Sequence, residues 1–208
     1  MTLAAVLTGD IIKSQKITAA DYDSVIASLK QQVNSLQSYC NLAFTLYRGD
    51  EFQLYLSNPG DAGLAAVLIR LNLLSLNQDA RISIGIGDID ALRDPVSTST
   101  GSAFTLSGHG LQSMAQQRLL LQVDHAPLPP ALALLIRFCD DKLQQLTRRQ
   151  ASALNYYLSE PNNQHQQIAD KMKTSRVNVT KLLNQASYVL IEDFIQYLSE
   201  YLTEVTHG

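Results

Sequence analysis

The chain has 208 residues, 46% hydrophobic and 17% charged, so it can fill one large hydrophobic core or two small ones. Its formal net charge of −3 is too small to indicate a strongly charged partner. No apolar run approaches the roughly 20 residues of a membrane helix, and no signal peptide is predicted. We therefore expect a cytoplasmic protein that does not enter a membrane. Cys40 and Cys139 lack metal-ligand spacing, which favours buried free thiols.

The first 125 residues contain eight predicted elements in the order β-α-β-β-α-β-α-β. Apolar runs and alternation predict strands, and apolar residues at helical spacing predict helices. The predicted strands are 3–9, 42–47, 52–56, 81–87 and 118–123, and the predicted helices are 18–36, 62–76 and 101–117. Gly108 and Gly110 weaken the third helix. This order predicts an α+β fold with a ferredoxin-like core, in which an antiparallel sheet places the first strand beside the central hairpin.

Three carboxylates are expected at one end of this sheet. Asp10 follows the first strand, and Asp50 and Glu51 lie in the hairpin turn after Gly49. Carboxylate oxygens that converge in this way suit Mg²⁺ or Mn²⁺, which also use substrate phosphates as ligands. The alternative is an ordinary solvated turn, since hairpin tips are commonly polar.

Two motifs of this half resemble known catalytic domains. The segment 10–14, Asp-Ile-Ile-Lys-Ser, resembles the first metal-binding strand of class III nucleotide cyclases, and 48–52, Arg-Gly-Asp-Glu-Phe, resembles the GGDEF hairpin of diguanylate cyclases. The segment 81–86 is similar to the strand after the second helix in that family. The whole chain resembles the SatD family of small bacterial proteins, which share the TGDI, RGDEF and SIGIG blocks. Arg48 stands where GGDEF has its first glycine, so the resemblance implies a degenerate cyclase-like domain.

The resemblance to nucleotide cyclases also implies ligands for this domain. It implies a metal at Asp10, Asp50 and Glu51 and a nucleotide near Lys13, Arg48 and Gly49. Ser102 is a further candidate for nucleotide binding, because free N–H groups at a helix start can hold a phosphate. A plain capping role for the serines and threonines at 97–102 is the commoner alternative.

Three prolines mark a linker near residues 124–130 and divide the chain into predicted domains 1–125 and 126–208. The second domain is predicted to be all helical, with a helix at 131–146, three shorter helices between 147 and 187, and a last helix at 188–205. The residues expected to face inward in the three shorter helices are Ala153, Leu154, Tyr157, Ile168, Ala169, Met172, Val179, Leu182, Leu183 and Ala186.

The three short helices resemble the helix-turn-helix of LuxR-type regulators and sigma-factor DNA-binding regions, with Lys173 at a turn position where glycine is frequent. Within 142–187 there are 7 basic and 2 acidic residues, which favours contact with DNA. The resemblance implies that Arg176 and Asn178 contact bases and that Lys173 and Lys181 contact phosphates. The full set of expected DNA-binding residues is Lys173, Ser175, Arg176, Asn178, Thr180 and Lys181. The alternative is a helical hairpin that contacts another protein.

Two functions are consistent with these observations. In the first, the chain is a DNA-binding regulator of the SatD type whose degenerate cyclase-like domain binds metal and nucleotide. In the second, it is a metal-dependent nucleotidyl-transfer enzyme with an adaptor helix-turn-helix. The last helix has more apolar residues than one packed face needs, which predicts a homodimer anchored by Phe194, Tyr197 and Tyr201.

Overall fold

The computed structural model describes residues 3–47, 49–124, 127–160 and 164–207. The fold is α+β, as predicted. The strands are β1 Ala4–Ile11, β2 Leu42–Tyr47, β3 Glu51–Leu56, β4 Ala80–Gly87 and β5 Leu119–Val123. The helices are α1 Ala19–Leu36, α2 Ala62–Leu74, α3 Ser102–Ser113, α4 Pro130–Gln144, α5 Arg148–Ser159, α6 His165–Lys171, α7 Arg176–Gln185 and α8 Tyr188–His207. Within these ranges, none of the helices could cross a lipid bilayer.

The five strands form one mixed sheet in the order β2-β3-β1-β4-β5. β1 lies between β3 and β4 and is antiparallel to both, so the prediction that the first strand lies beside the hairpin is confirmed. The prediction of an antiparallel sheet is wrong at the last strand, because β5 is parallel to β4. The reason is the connection: α3 carries the chain back across the sheet, and such a crossover joins parallel strands.

The two faces of the sheet differ in polarity because side chains alternate along each strand. One face presents aliphatic and aromatic residues such as Leu7 and Phe52 to the main core, which includes residues of α1 and α2. The other face carries a polar row in which Thr8 accepts a hydrogen bond from Gln53 Nε2 at 3.1 Å. α3 packs on this second face at the part formed by β4, where Gly85 permits close approach. Thr8 and Gln53 are buried there, and the hydroxyl groups of Thr8 and Ser107 of α3 are 2.8 Å apart.

We call the described residues up to 124 the sheet half and those from 127 onwards the helical half. The helices of the helical half pack directly against the sheet half. One continuous hydrophobic core contains residues from both parts of the chain, from Ala5 in β1 to Leu202 in α8. α8 also returns to the start of α2, where Leu198 lies against Gly63. The predicted boundary at 125/126 falls on residues outside the described ranges, and the division into domains stays a prediction.

A buried charge network also connects the two halves. Arg70 of α2 is fully buried and donates to Asp79 at 2.8 and 2.9 Å and to Asp140 of α4 at 2.7 Å. Arg118 adds a second cation, with its Nη1 2.8 Å from Asp79 Oδ2 and its backbone N–H 2.8 Å from Asp140 Oδ2. Because each buried carboxylate has a cationic partner, the network avoids an isolated buried charge.

The packing of α8 changes one part of the dimer prediction. Phe194 is only 8% exposed and belongs to the chain's own core, and Tyr201 is half-buried against the same core. Phe194 is therefore a core residue and not an available anchor for a second copy. Tyr197 and Leu190 are 45% and 69% exposed. The homodimer itself stays a prediction.

Both cysteines are buried free thiols, as predicted. Burial raises the pKa of the Cys139 thiol to about 12. Burial, together with the charge of Asp61, raises the pKa of the Cys40 thiol to about 12 as well. Neither residue therefore forms the thiolate that a nucleophile or a metal ligand requires near neutral pH.

Candidate functional site

The structure brings the three candidate carboxylates to one end of the sheet. Asp10, near the end of β1, lies directly across from Glu51 at the start of β3 and from Arg81 on its other side in β4. The hairpin turn approaches the same point, since the backbone N–H of Ile11 donates to the carbonyl oxygen of Asp50 at 3.1 Å. The backbones of Asp10, Asp50 and Glu51 therefore lie at one end of the sheet, and the cleft at this end is lined by Asp10 and Asp50 but not by Glu51.

Two of these carboxylates are already bonded within the chain. Arg81 holds Asp10 through two parallel bonds, from Nε to Oδ1 at 3.0 Å and from Nη2 to Oδ2. The hydrogen bond to Asp10 is also the largest cause that raises the pKa of the Arg81 guanidinium. Asp50 accepts a hydrogen bond from the Ser14 hydroxyl through Oδ2. An arginine cation thus supplies the charge that a metal would otherwise supply to Asp10.

This arrangement does not fit a bound Mg²⁺ or Mn²⁺ as it stands. Both oxygens of Asp10 accept hydrogen bonds from the Arg81 guanidinium, whose positive charge disfavours a metal ion beside them. In the part of the chain that the structure describes, no three His, Cys, Asp or Glu side chains form a group that could hold a metal ion. Metal binding at Asp10, Asp50 and Glu51 therefore stays a prediction, and the positive charge of Arg81 opposes it.

The candidate nucleotide-binding residues do not all lie together. Lys13 and Gly49 are exposed at the same end of the sheet as Asp10, and Gly49 has a φ of +87° that favours glycine. Arg48 lies outside the described residues. Ser102 lies at the opposite end of β4, where its hydroxyl accepts from the backbone N–H of Asp88 at 2.9 Å. The length of β4 separates Ser102 from Lys13 by roughly 20 Å, so these two residues do not share one site.

An open cleft of about 750 Å³ lies beside the candidate carboxylates. Four cationic residues line this cleft, compared with the two carboxylates of Asp10 and Asp50. The cations are Lys13, Lys16, Arg81 and Arg118. The sequence motifs contain the two acids. In the folded chain, cationic side chains outnumber acidic ones in the cleft, and one of the cations, Arg118, is far from the motifs in sequence. An anionic group fits this balance better than a bare metal cation does.

The three short helices form a second candidate site. α5, α6 and α7 bury one another's apolar faces, and Leu154, Ile168, Ala169, Val179 and Leu183 are all fully buried. Of the other residues expected to face inward, Ala153 and Ala186 are buried, and Tyr157, Met172 and Leu182 are partly buried against the same core.

The turn between α6 and α7 has the features expected from its sequence. Ser175 caps α7 by accepting from the backbone N–H of Asn178 at 3.2 Å. Lys173 has a left-handed backbone conformation, with a φ of 50°. This conformation explains why glycine is frequent at that turn position, since glycine adopts it without a steric penalty.

The outer face of α7 forms a shallow groove of about 470 Å³. Its lining residues are Arg176, Val177, Thr180, Lys181, Asn184 and Gln185. Val177 is 79% exposed, which is unusual for a valine in a helix whose other valine, Val179, is fully buried. Val177 is absent from the predicted DNA-binding residues, although its position four residues before Lys181 places both on one helix face.

Besides Ser175, two more of the predicted DNA contacts have partners within the chain. The Asn178 amide donates to Thr174 Oγ1 at 3.0 Å and does not line the groove. The Thr180 hydroxyl lies 2.8 Å from His165 Nδ1 and donates to the carbonyl oxygen of Arg176 at 3.1 Å. Residues two apart on a helix point in different directions, which is why Arg176 and Asn178 do not present a common surface.

No protein-family model matches this chain, and no curated protein matches it either. The resemblances to SatD proteins, nucleotide cyclases and helix-turn-helix domains therefore stay predictions. The candidate sites are defined by the geometry of the described residues.

Proposed function

We propose that this chain is a DNA-binding regulatory protein in which α5, α6 and α7 act as a helix-turn-helix. The observation that carries the proposal is the outer face of α7, where Arg176, Val177 and Lys181 are exposed while Val179 and Leu183 anchor the helix in the core. A rigid helix with an exposed polar and basic face is the element that common DNA-binding motifs place in the major groove.

The dimensions and side chains of α7 suit this role. Its 10 residues extend about 15 Å, and the major groove of B-DNA is about 12 Å wide. Arg176 can donate two hydrogen bonds to the edge of a guanine, and Val177 can contact the methyl group of a thymine. Lys173, in the turn before α7, and Lys181, which lines the groove, are proposed phosphate contacts.

In this proposal the sheet half is the regulatory half. The strand order β2-β3-β1-β4 supports a ferredoxin-like, cyclase-like domain, and the positively charged cleft at its end supports an anionic ligand such as a nucleotide. No observation in the described residues favours the alternative of a nucleotidyl-transfer enzyme, because Asp10 is bonded to Arg81 at the point where a metal would be needed.

The experiment is a titration of the whole protein against genomic fragments at two salt concentrations. We expect Lys181→Ala to weaken binding to all fragments alike and to lower the salt slope by about one unit, because it removes one phosphate contact. We expect Arg176→Ala to cost roughly 1–3 kcal/mol on the preferred site and to relax the preference at one base pair.

Lys30→Ala is the matched control, because Lys30 is an exposed lysine of α1 in the sheet half. It should bind DNA like the wild type. If wild-type protein binds no fragment at low salt, or if all three variants match it, α5–α7 contact another protein and the regulator proposal fails.

A further inference from the structure

A second cleft adjoins the first and shares Ile12, Lys13, Lys16 and Arg118 with it. One wall comes from the segment after β1, one from the turn between α2 and β4, and one from the start of α5. The cleft has a volume of about 430 Å³, within the size range of small-molecule sites. Its lining residues are Ile12, Lys13, Lys16, Ile17, Leu74, Asn77, Gln78, Asp79, Arg118, Leu146 and Arg148.

This cleft is positively charged, whereas the whole chain has a negative net charge. Four cationic side chains line it, and Asp79 is its single carboxylate among the described residues. That carboxylate is already shared by Arg118 and the buried Arg70, so it does not neutralise the lysines. A local cluster of uncompensated cations in a chain of net charge −3 attracts an anion.

The two lysines of the cleft are available for a ligand. Within the described ranges, the ammonium groups of Lys13 and Lys16 have neither an ion-pair nor a hydrogen-bond partner, and both side chains are exposed. Lys13 has a left-handed backbone conformation with φ 56° and ψ 32°, which is uncommon for a residue other than glycine. The two arginines differ: Arg118 is held by Asp79, and Arg148 donates from Nε to the carbonyl oxygen of Ser75 at 2.7 Å.

The remaining lining residues favour an anion that also has a less polar part. Ile12, Ile17, Leu74 and Leu146 form an apolar wall, and Asn77 and Gln78 add amide donors and acceptors. We propose that this cleft binds a small molecule that carries a diphosphate group, with its phosphates between Lys13, Lys16 and Arg148 and its less polar part against the apolar wall. The proposal rests on the regulatory role given above to the sheet half and deepens it. It assigns the ligand to the side of the shared residues Lys13 and Lys16 that faces Arg148, which lines this cleft and not the cleft beside Asp10.

The position of the cleft also connects a ligand to the helices proposed for DNA binding. Arg148 is the first residue of α5, and two residues later the Gln150 amide donates to Gln185 Oε1 at the end of α7 at 3.3 Å. A phosphate held by Arg148 therefore contacts the same helix that touches α7.

The experiment measures binding of inorganic pyrophosphate and of ADP to the whole protein by calorimetry at low and high salt. We expect both probes to bind at low salt, with lower affinity at high salt because the cleft is open to solvent. We expect the double variant Lys13→Gln/Lys16→Gln to lose about tenfold or more in affinity for both probes, since charge-assisted bonds to phosphate are roughly twice as strong as neutral ones. Arg148→Gln should lose affinity as well, because Arg148 lines this cleft and not the one beside Asp10; unchanged affinity in Arg148→Gln would overturn the proposal.

Lys30→Gln is the control, because it removes the same charge from α1 outside the cleft. The proposal is overturned if neither probe binds at low salt, if the double variant binds like the wild type, or if Lys30→Gln loses as much affinity. It is also overturned if the double variant weakens only DNA binding, since the cleft then contacts the DNA backbone. Pyrophosphate binding by a protein that binds no DNA would retain this site and reject the regulator proposal.

Discussion

At the scale of single residues, the ion pair between Asp10 and Arg81 determines how much negative charge this end of the sheet offers to a ligand. Its carboxylate lies across from Glu51 on one side, and Arg81 bonds to it on the other. Without Arg81, two acids and the nearby Asp50 would repel one another, and a cation from solution would relieve that repulsion. With Arg81 in place, Asp10 is compensated internally.

A metal ion and the Arg81 guanidinium compete for Asp10, and this competition predicts how a metal changes the melting temperature. The positive charge of Arg81 opposes binding of Mn²⁺ at Asp10, so we expect Mn²⁺ to raise the melting temperature of Arg81→Gln more than that of the wild type. A ligand stabilises a protein by binding its native state, and the competing guanidinium reduces that effect. The measurement is thermal unfolding of both proteins with and without Mn²⁺.

Asp50→Asn in the Arg81→Gln background is the control for this metal effect. It should remove the gain from Mn²⁺ if Asp50 is a ligand. A melting temperature that Mn²⁺ leaves unchanged in every variant would show that these carboxylates do not form a metal site.

At the scale of elements, Gly85 lets α3 pack closely on β4. A Cβ at Gly85 of β4 would lie 2.3 Å from the carbonyl oxygen of Ala103 and 2.7 Å from the backbone nitrogen of Ser107. Both atoms belong to the helix backbone, which cannot move away like a flexible side chain. In contrast, a Cβ at Gly108 of α3 would meet no atom within 4 Å.

We therefore predict opposite effects for two glycine-to-alanine substitutions at this contact. Gly85→Ala should lower the free energy of unfolding by about 1–3 kcal/mol, because the added methyl group overpacks the interface. Gly108→Ala should raise it by about 0.5–1 kcal/mol, because alanine loses less backbone entropy than glycine when a helix forms. Urea denaturation of the two variants and the wild type measures both changes. Equal effects of the same sign would contradict the close packing of α3 on β4.

At the scale of the whole molecule, the buried network determines how far the two halves depend on each other. Arg70, which is fully buried, needs both Asp79 of the sheet half and Asp140 of α4. Removing one partner of a buried ion pair leaves an uncompensated charge, which costs more than the pair itself contributes. The network therefore couples the sheet to the helices even though the prolines predict a linker between them.

We predict that Asp140→Ala lowers the free energy of unfolding by about 3–5 kcal/mol and that the wild-type protein unfolds in one transition. The matched control is Asp141→Ala. Asp141 is the exposed neighbour on the same helix and bonds only to Gln145 among the described residues, so its loss should change stability by less than about 0.5 kcal/mol. Chemical denaturation followed by two probes tests this. Two separate transitions, or equal effects of both variants, would mean that the halves fold independently.

The sequence by itself determined the order and type of the elements and most of the inward faces. Apolar periodicity depends on residues close together in the chain, so β1, the hairpin and the buried Val179 and Leu183 were all predictable. The end of the sheet where Asp10 and the hairpin turn meet followed from strand order alone. One signal for the buried network was also present, because Arg70 is the single charged residue of the strongly apolar helix α2.

Only the tertiary structure decided which charges meet. Asp10 and Arg81 are 71 residues apart, and Arg70 and Asp140 are 70 apart, so no local pattern pairs them. The same holds for the cleft that collects Lys13, Arg118 and Arg148 from three separate elements. Local periodicity reports which face of an element is buried, whereas the partner of a charged side chain depends on how distant elements pack, and at both candidate sites the chemistry depends on those partners.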